Sequence, residues 1–183
     1  MVRLFVAIDL PDEIREQFRD VQDGLRSSRA RLTLVDQESM HITLKFIGEV
    51  SGSALSQITE ILQTIEASPF SMEVGLIGTN SQRAPRVVWA EVDDPGQCRA
   101  LAESIDSSLA SLGFEPEKRK FRPHITIARV RQFHQSLFEA LAGVASSCSG
   151  TIPVREFILK KSELTPDGPI YTDILHVSLR ERS

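Results

Sequence analysis

The sequence predicts an α+β fold with a pseudo-two-fold duplication: two lobes of mostly antiparallel sheet facing a central cleft, with helices packed outside. Three observations predict it. Short β-prone runs alternate with amphipathic helical segments along the chain. The pattern His-apolar-Thr-apolar occurs twice, as His41-Ile42-Thr43-Leu44 and His124-Ile125-Thr126-Ile127, 83 residues apart. The same offset relates Arg3 to Arg86, Phe5 to Val88, Ala7 to Ala90 and Glu73 to Glu156. The chain therefore reads as a single bilobal domain over residues 1–183, with approximate halves 1–80 and 84–183.

The first strand is Arg3 to Leu10, a continuous apolar run that ends at Pro11 and implies a central position. Asp12 to Arg26 places Ile14, Phe18, Val21 and Leu25 at helical spacing, with acidic residues in the first turn, where the helix dipole favours them. Arg31 to Val35 is a short strand and Asp36 to Ser39 a polar turn. Met40 to Ile47 is the strand of the first motif, closed by Gly48. Ser53 to Ala67 is a second amphipathic helix ended by Pro69, and Phe70 to Ile77 a further strand. Gly78 to Pro85 is the candidate hinge between halves, too short for a linker between independent domains.

Arg86 to Val92 opens the second half as a strand. Leu101, Ile105, Leu109 and Leu112 mark a helix stopped by Gly113. The stretch Phe121 to Arg129 carries the second motif, with Pro123 suited to the first position of its strand, and follows a basic run; Leu137, Phe138, Leu141 and Val144 mark the last helix. Ile152 to Leu164 and Tyr171 to Leu179 close the chain as a hairpin around the turn Thr165 to Pro169.

At 183 residues, 41% apolar and 25% charged, the composition is that of an ordinary globular domain. No apolar run approaches the roughly 20 residues of a membrane span, and Arg3 interrupts any leader-like core, so a cytoplasmic protein and a monomer are expected. Cys98 and Cys148 lack the clustering of a disulfide framework or a zinc site and read as inert thiols. A net charge of −4 excludes coating of nucleic acid through the overall field. Lys118, Arg119, Lys120 and Arg122 nevertheless run into the second motif, with Arg129 and Arg131 behind it, which makes an anion site as plausible as a solvated loop.

In a strand, His41 and Thr43 share one face, as do His124 and Thr126. Two histidines without a neighbouring Ser, Cys or carboxylate motif suggest acid/base work rather than a nucleophilic triad. One neutral imidazole takes a proton from an attacking hydroxyl or water, and one imidazolium gives a proton to a leaving oxygen. The threonine hydroxyls suit the non-bridging oxygens of a phosphate. No cofactor is called for, and no metal either, because neither motif carries the third histidine or carboxylate that would complete a zinc site. His134 and His176 read as surface or structural histidines.

These residues resemble those of the two-histidine phosphoesterases, and within them the bacterial and archaeal RNA 2′,3′-cyclic phosphodiesterases, formerly called 2′,5′ RNA ligases. The likeness covers nearly the whole chain: Arg3 to Pro11, Met40 to Val50, Pro85 to Trp89, Phe121 to Arg129, and the ending with Ser162, Leu164, Tyr171, Ile174, Val177 and Leu179. The resemblance implies a bilobal fold and metal-independent opening of an RNA terminal 2′,3′-cyclic phosphate to a 2′-phosphate. It implies His41 as proton donor, His124 as proton acceptor, Phe46 stacking on the terminal base and Arg129 meeting the phosphate. Strict alternation places Phe46 and Arg129 opposite the His/Thr faces, unless the strands twist or end before them. The tryptophan frequent before the first motif in that family is absent, with Leu34 or Val35 near its place. The alternatives are cleavage of 2′,5′-linked oligonucleotides with ligation as a side reaction, a small nucleotide cyclic phosphate as substrate, and a non-catalytic module that binds RNA ends.

Overall fold

The computed structural model describes residues 1–166 and 168–180. Its first strand, β1 (Val2–Asp9), buries every side chain from Leu4 to Ile8, as its central place in the sheet between β3 and β8 allows. Around it run α1 (Asp12–Leu25), β2 (Arg31–Leu34), a 3-10 turn (Gln37–Ser39), β3 (His41–Val50), α2 (Gly52–Gln63) and β4 (Phe70–Thr79). The chain continues through β5 (Val87–Asp93), α3 (Gln97–Ala110), β6 (His124–Gln132), α4 (Ser136–Val144), β7 (Thr151–Val154), β8 (Glu156–Thr165) and β9 (Gly168–Ser178). The fold is the α+β arrangement the alternation of elements predicts. All strand pairs are antiparallel, in the order β7-β4-β5-β6-β3-β1-β8-β9, with β2 added alongside β6.

The order has a two-fold character centred between β6 and β3. One wing holds β3, β1, β8 and β9 under α2 and α3; the other holds β6, β5, β4 and β7 under α1 and α4. Elements cross between wings in both halves of the chain. After β1 the helix α1 packs on the far wing, against α4 and β6, and after β5 the helix α3 packs back on β3. The Gly78 to Pro85 segment is not a hinge between lobes. It completes β4 and turns directly into the neighbouring strand β5 of the same wing, where the Asn80 side-chain oxygen accepts from the backbone N–H groups of Arg86 (2.9 Å) and Val87 (3.0 Å).

The Ile152 to Leu164 run is two strands rather than one. It breaks at Arg155, sending β7 to pair with β4 at one edge and β8 to pair with β1 in the other wing. Helix α2 stops at Gln63, ahead of Ala67 and Pro69, because Ile65 turns into the core and the Ala67 carbonyl accepts from the N–H of Arg180 (2.9 Å). The predicted offset of 83 holds for the motif strands but slips elsewhere. Asp9 stands opposite His41 and Glu91 opposite His124, an offset of 82, so Ala7 corresponds to Trp89 and not to Ala90. In β4 and β8 it falls to 80, with Gly78 opposite Trp89 and Ile158 opposite Ala7, so Glu73 and Glu156 are not equivalent.

Candidate active site

Among the described residues, the motif strands of the two wings meet at a single ladder pair, Ile42 with Ile125. Both side chains are fully buried. Residues opposed in an antiparallel ladder share a face, and their neighbours on either side point to the other one. Burying Ile42 and Ile125 therefore turns His41, Thr43, His124 and Thr126 together onto the open face. The two His/Thr faces lie side by side across this seam rather than opposing each other from separate sheets. All four residues line one cleft of about 1860 Å³.

Each histidine is held by the same device. His41 Nδ1 donates to the carbonyl of Ser39 at 2.8 Å, and His124 Nδ1 donates to the carbonyl of Arg122 at 2.9 Å. A carbonyl only accepts, so each neutral ring carries its proton on Nδ1 and keeps a lone pair on Nε2. Thr43 Oγ1 lies 3.0 Å from His41 Nε2 and donates to it while the ring is neutral.

Phe46 and Arg129 also line the cleft, on the side that strict alternation denies them. The cause is a bulge in each motif strand. Against β1, Ala7 faces Thr43 and Val6 faces Lys45, which leaves Leu44 unpaired. Against β5, Trp89 faces Thr126 and Val88 faces Ala128, which leaves Ile127 unpaired. One extra residue reverses the phase of the strand beyond it. Phe46 is thereby 72% exposed, and the Lys45 side chain turns inward to an ion pair with Asp106.

The surroundings of the two rings differ. His41 packs on Phe5 (ring centroids 4.9 Å apart) and meets Tyr171 edge-on at 5.4 Å. Beneath it Lys160 Nζ is bound to Asp9 Oδ2 (3.0 Å) and Asp173 Oδ1 (2.6 Å), and Arg15 lies 3.9 Å from Asp9. Burial lowers the His41 pKa below the usual 6.5; the Ser39 carbonyl and Asp9 oppose the shift, and Lys160 and Arg15 add to it. His124 packs on Trp89 at 4.6 Å, over which the Arg122 guanidinium lies at 5.4 Å while it pairs with Glu91. Burial also raises the pKa of Tyr171, against the nearby charge of Arg129.

The basic run divides. Arg122 joins the wall behind His124, whereas Lys118 and Arg119 line a separate hollow of about 500 Å³ beside Phe46. Leu34 and Val35 line the main cleft. The sequence alone gives no site role to Phe5, Trp89, Tyr171 or Asp9. The single tryptophan and single tyrosine, each inside a β-prone run, were the available signal. The pairing of Asp9 with a buried lysine 151 residues away left none. Among the described residues, no group of three or more His, Cys, Asp or Glu side chains is placed to hold a metal ion, and no helix is long and apolar enough to cross a membrane.

The family model for LigT-like phosphoesterases matches residues 8–89 and again 91–171, one match for each half of the chain. A protein of Archaeoglobus fulgidus named RNA 2′,3′-cyclic phosphodiesterase is 37% identical over 174 residues, which cover 94% of this chain and 98% of the relative. One of the same name from Methanothermobacter thermautotrophicus is 35% identical over 178 residues, 94% of this chain and 96% of its own. Among solved structures, Escherichia coli LigT complexed with 3′-AMP superposes with a TM-score of 0.80 at 29% identity, covering 98% of this chain and 99% of that one. Matched along both halves and in three dimensions, this chain belongs to the LigT-like phosphoesterases.

Proposed function

We propose that this protein is a cytoplasmic, monomeric enzyme that opens a 2′,3′-cyclic phosphate at the end of RNA, leaving a 2′-phosphate without a metal ion. The observation that carries the reading is the pair of identically clamped imidazoles flanking the Ile42–Ile125 seam in one cleft. The names of the relatives supply the substrate.

His124 Nε2 takes a proton from water, whose oxygen attacks phosphorus. The bond from phosphorus to the 3′ oxygen breaks, and His41 Nε2–H delivers its proton to that oxygen. The 2′ ester stays intact, and the two rings exchange protonation states. Thr43 and Thr126 hydroxyls and the Arg129 guanidinium hold the non-bridging oxygens. Burial keeps His41 neutral at rest, and the charge of the bound phosphate favours its protonated form.

The test is to incubate RNA ending in a 2′,3′-cyclic phosphate with the protein in EDTA and locate the phosphate on the product. A 2′-phosphate is expected. His41→Ala and His124→Ala should each lower the rate by about 10²–10⁴-fold, the usual share of a general acid or base. A 3′-phosphate, loss of activity in EDTA, or near-normal rates in either variant would refute the reading. Size-exclusion chromatography with light scattering should give the monomer mass.

A further inference from the structure

The wing that carries His41 extends past the end of its central strand. Strand β1 makes its last pairing with β8 at Arg3–Ser162, but the β8–β9 hairpin continues outward to Thr165 and Gly168. In that ladder Ser162 faces Tyr171 and Leu164 faces Pro169. Alternate positions return to the same face, so Leu164 and Pro169 prolong the surface on which Tyr171 meets His41. Both line the cleft, and Leu164 is 67% exposed. The edge strand of the opposite wing, β7, has 4 residues against 11 in β9.

We propose that the Leu164–Pro169 shelf binds the nucleobase of the penultimate nucleotide, so that the enzyme acts on the end of an RNA strand in preference to a mononucleotide cyclic phosphate. The proposal rests on the phosphodiesterase reading. Charge and size favour this occupant. The cleft is lined by Arg3, Arg26, Arg129 and Arg131 against two carboxylates, Asp36 and Glu38, although the chain as a whole carries −4. Glu38 is bound by Arg15 and Asp36 caps the 3-10 turn, while Arg3 pairs with Glu49 and Arg26 with Asp23; Arg129 and Arg131 have no carboxylate partner among the described residues and carry the positive charge of the groove. A cationic groove tracks the backbone of a single strand, and the exposed apolar shelf beside it offers a base a face to pack on without reading its sequence. The cleft volume of about 1860 Å³ also exceeds the roughly 300–1,000 Å³ of a small-molecule pocket.

The experiment compares kcat/KM for adenosine 2′,3′-cyclic phosphate and for a trinucleotide ending in the same group. The wild-type protein should favour the trinucleotide by about tenfold, within the range of a base-stacking contribution. Leu164→Ser should bring the ratio close to one with the mononucleotide rate unchanged, and Leu164→Phe should keep or raise it. Equal wild-type rates, or a Leu164→Ser variant that retains the preference or loses both activities in proportion, would overturn the subsite. Failure of the wild type to turn over either substrate would instead refute the phosphodiesterase reading itself.

Discussion

A buried histidine whose pKa is lowered reports its own role through the direction of a pH limb. A donor must be protonated, and its protonated fraction falls as pH rises through its pKa. With His41 as donor, the limb of kcat/KM that falls with rising pH lies below 6.5; with His41 as acceptor, the limb that rises with pH would lie there. The Asp9 carboxylate supports the imidazolium, so Asp9→Asn should move the His41 limb to still lower pH. A pH profile of both proteins checks both statements. The same depression has a stability sign. The unfolded ring binds a proton more readily than the folded one, so the contribution is complete above 6.5 and is lost as pH falls below it. Urea midpoints measured between pH 7 and 5 should show this loss, and His41→Gln should remove it. At this scale the His and Thr pairs were legible, because a period of two assigns a face without further information. Asp9 and Lys160 were not legible, since their meeting depends on which strands become neighbours.

The bulges at Leu44 and Ile127 decide what the motif strands present beyond the threonines. The sequence carries the conflict without its resolution: Phe46 stands five residues after His41 and Arg129 five after His124, each out of phase with the His/Thr face. A period-two pattern cannot announce where the period breaks. The seam is equally local. Truncating Ile42 to Ala removes packing where one backbone pair joins the wings, and the cost should be about 2–5 kcal/mol, as for other large-to-small core changes. Urea unfolding measures it. Helix α1 shows a matching constraint. A methyl group on Gly24 would run into Val144 Cγ1, and the branched valine side chain has little room to turn away, so Gly24→Ala should lower the thermal midpoint despite the better helix propensity of alanine.

For the molecule as a whole, the duplication was readable from the repeated motif, and the order of the strands was not. Hydrophobic pattern specifies faces and lengths, whereas neighbours are chosen by packing between segments far apart in sequence. The consequence lies in the way α1 and α3 cross between wings. Residues 1–80 supply β1, β3 and α2 to one wing but α1, β2 and β4 to the other, and the second half divides in the same manner. This is the topology of a domain-swapped dimer whose two copies have been joined end to end by the Asn80 to Arg86 loop. Neither half contains a complete sheet or a covered core of its own. The two fragments 1–82 and 83–183, produced separately, should each lack cooperative unfolding and regain it, with activity, on mixing. Circular dichroism of the separate and mixed fragments tests this. A protein built so has one hydrolytic centre assembled from two chemically similar partners, and their fusion guarantees a one-to-one supply of both.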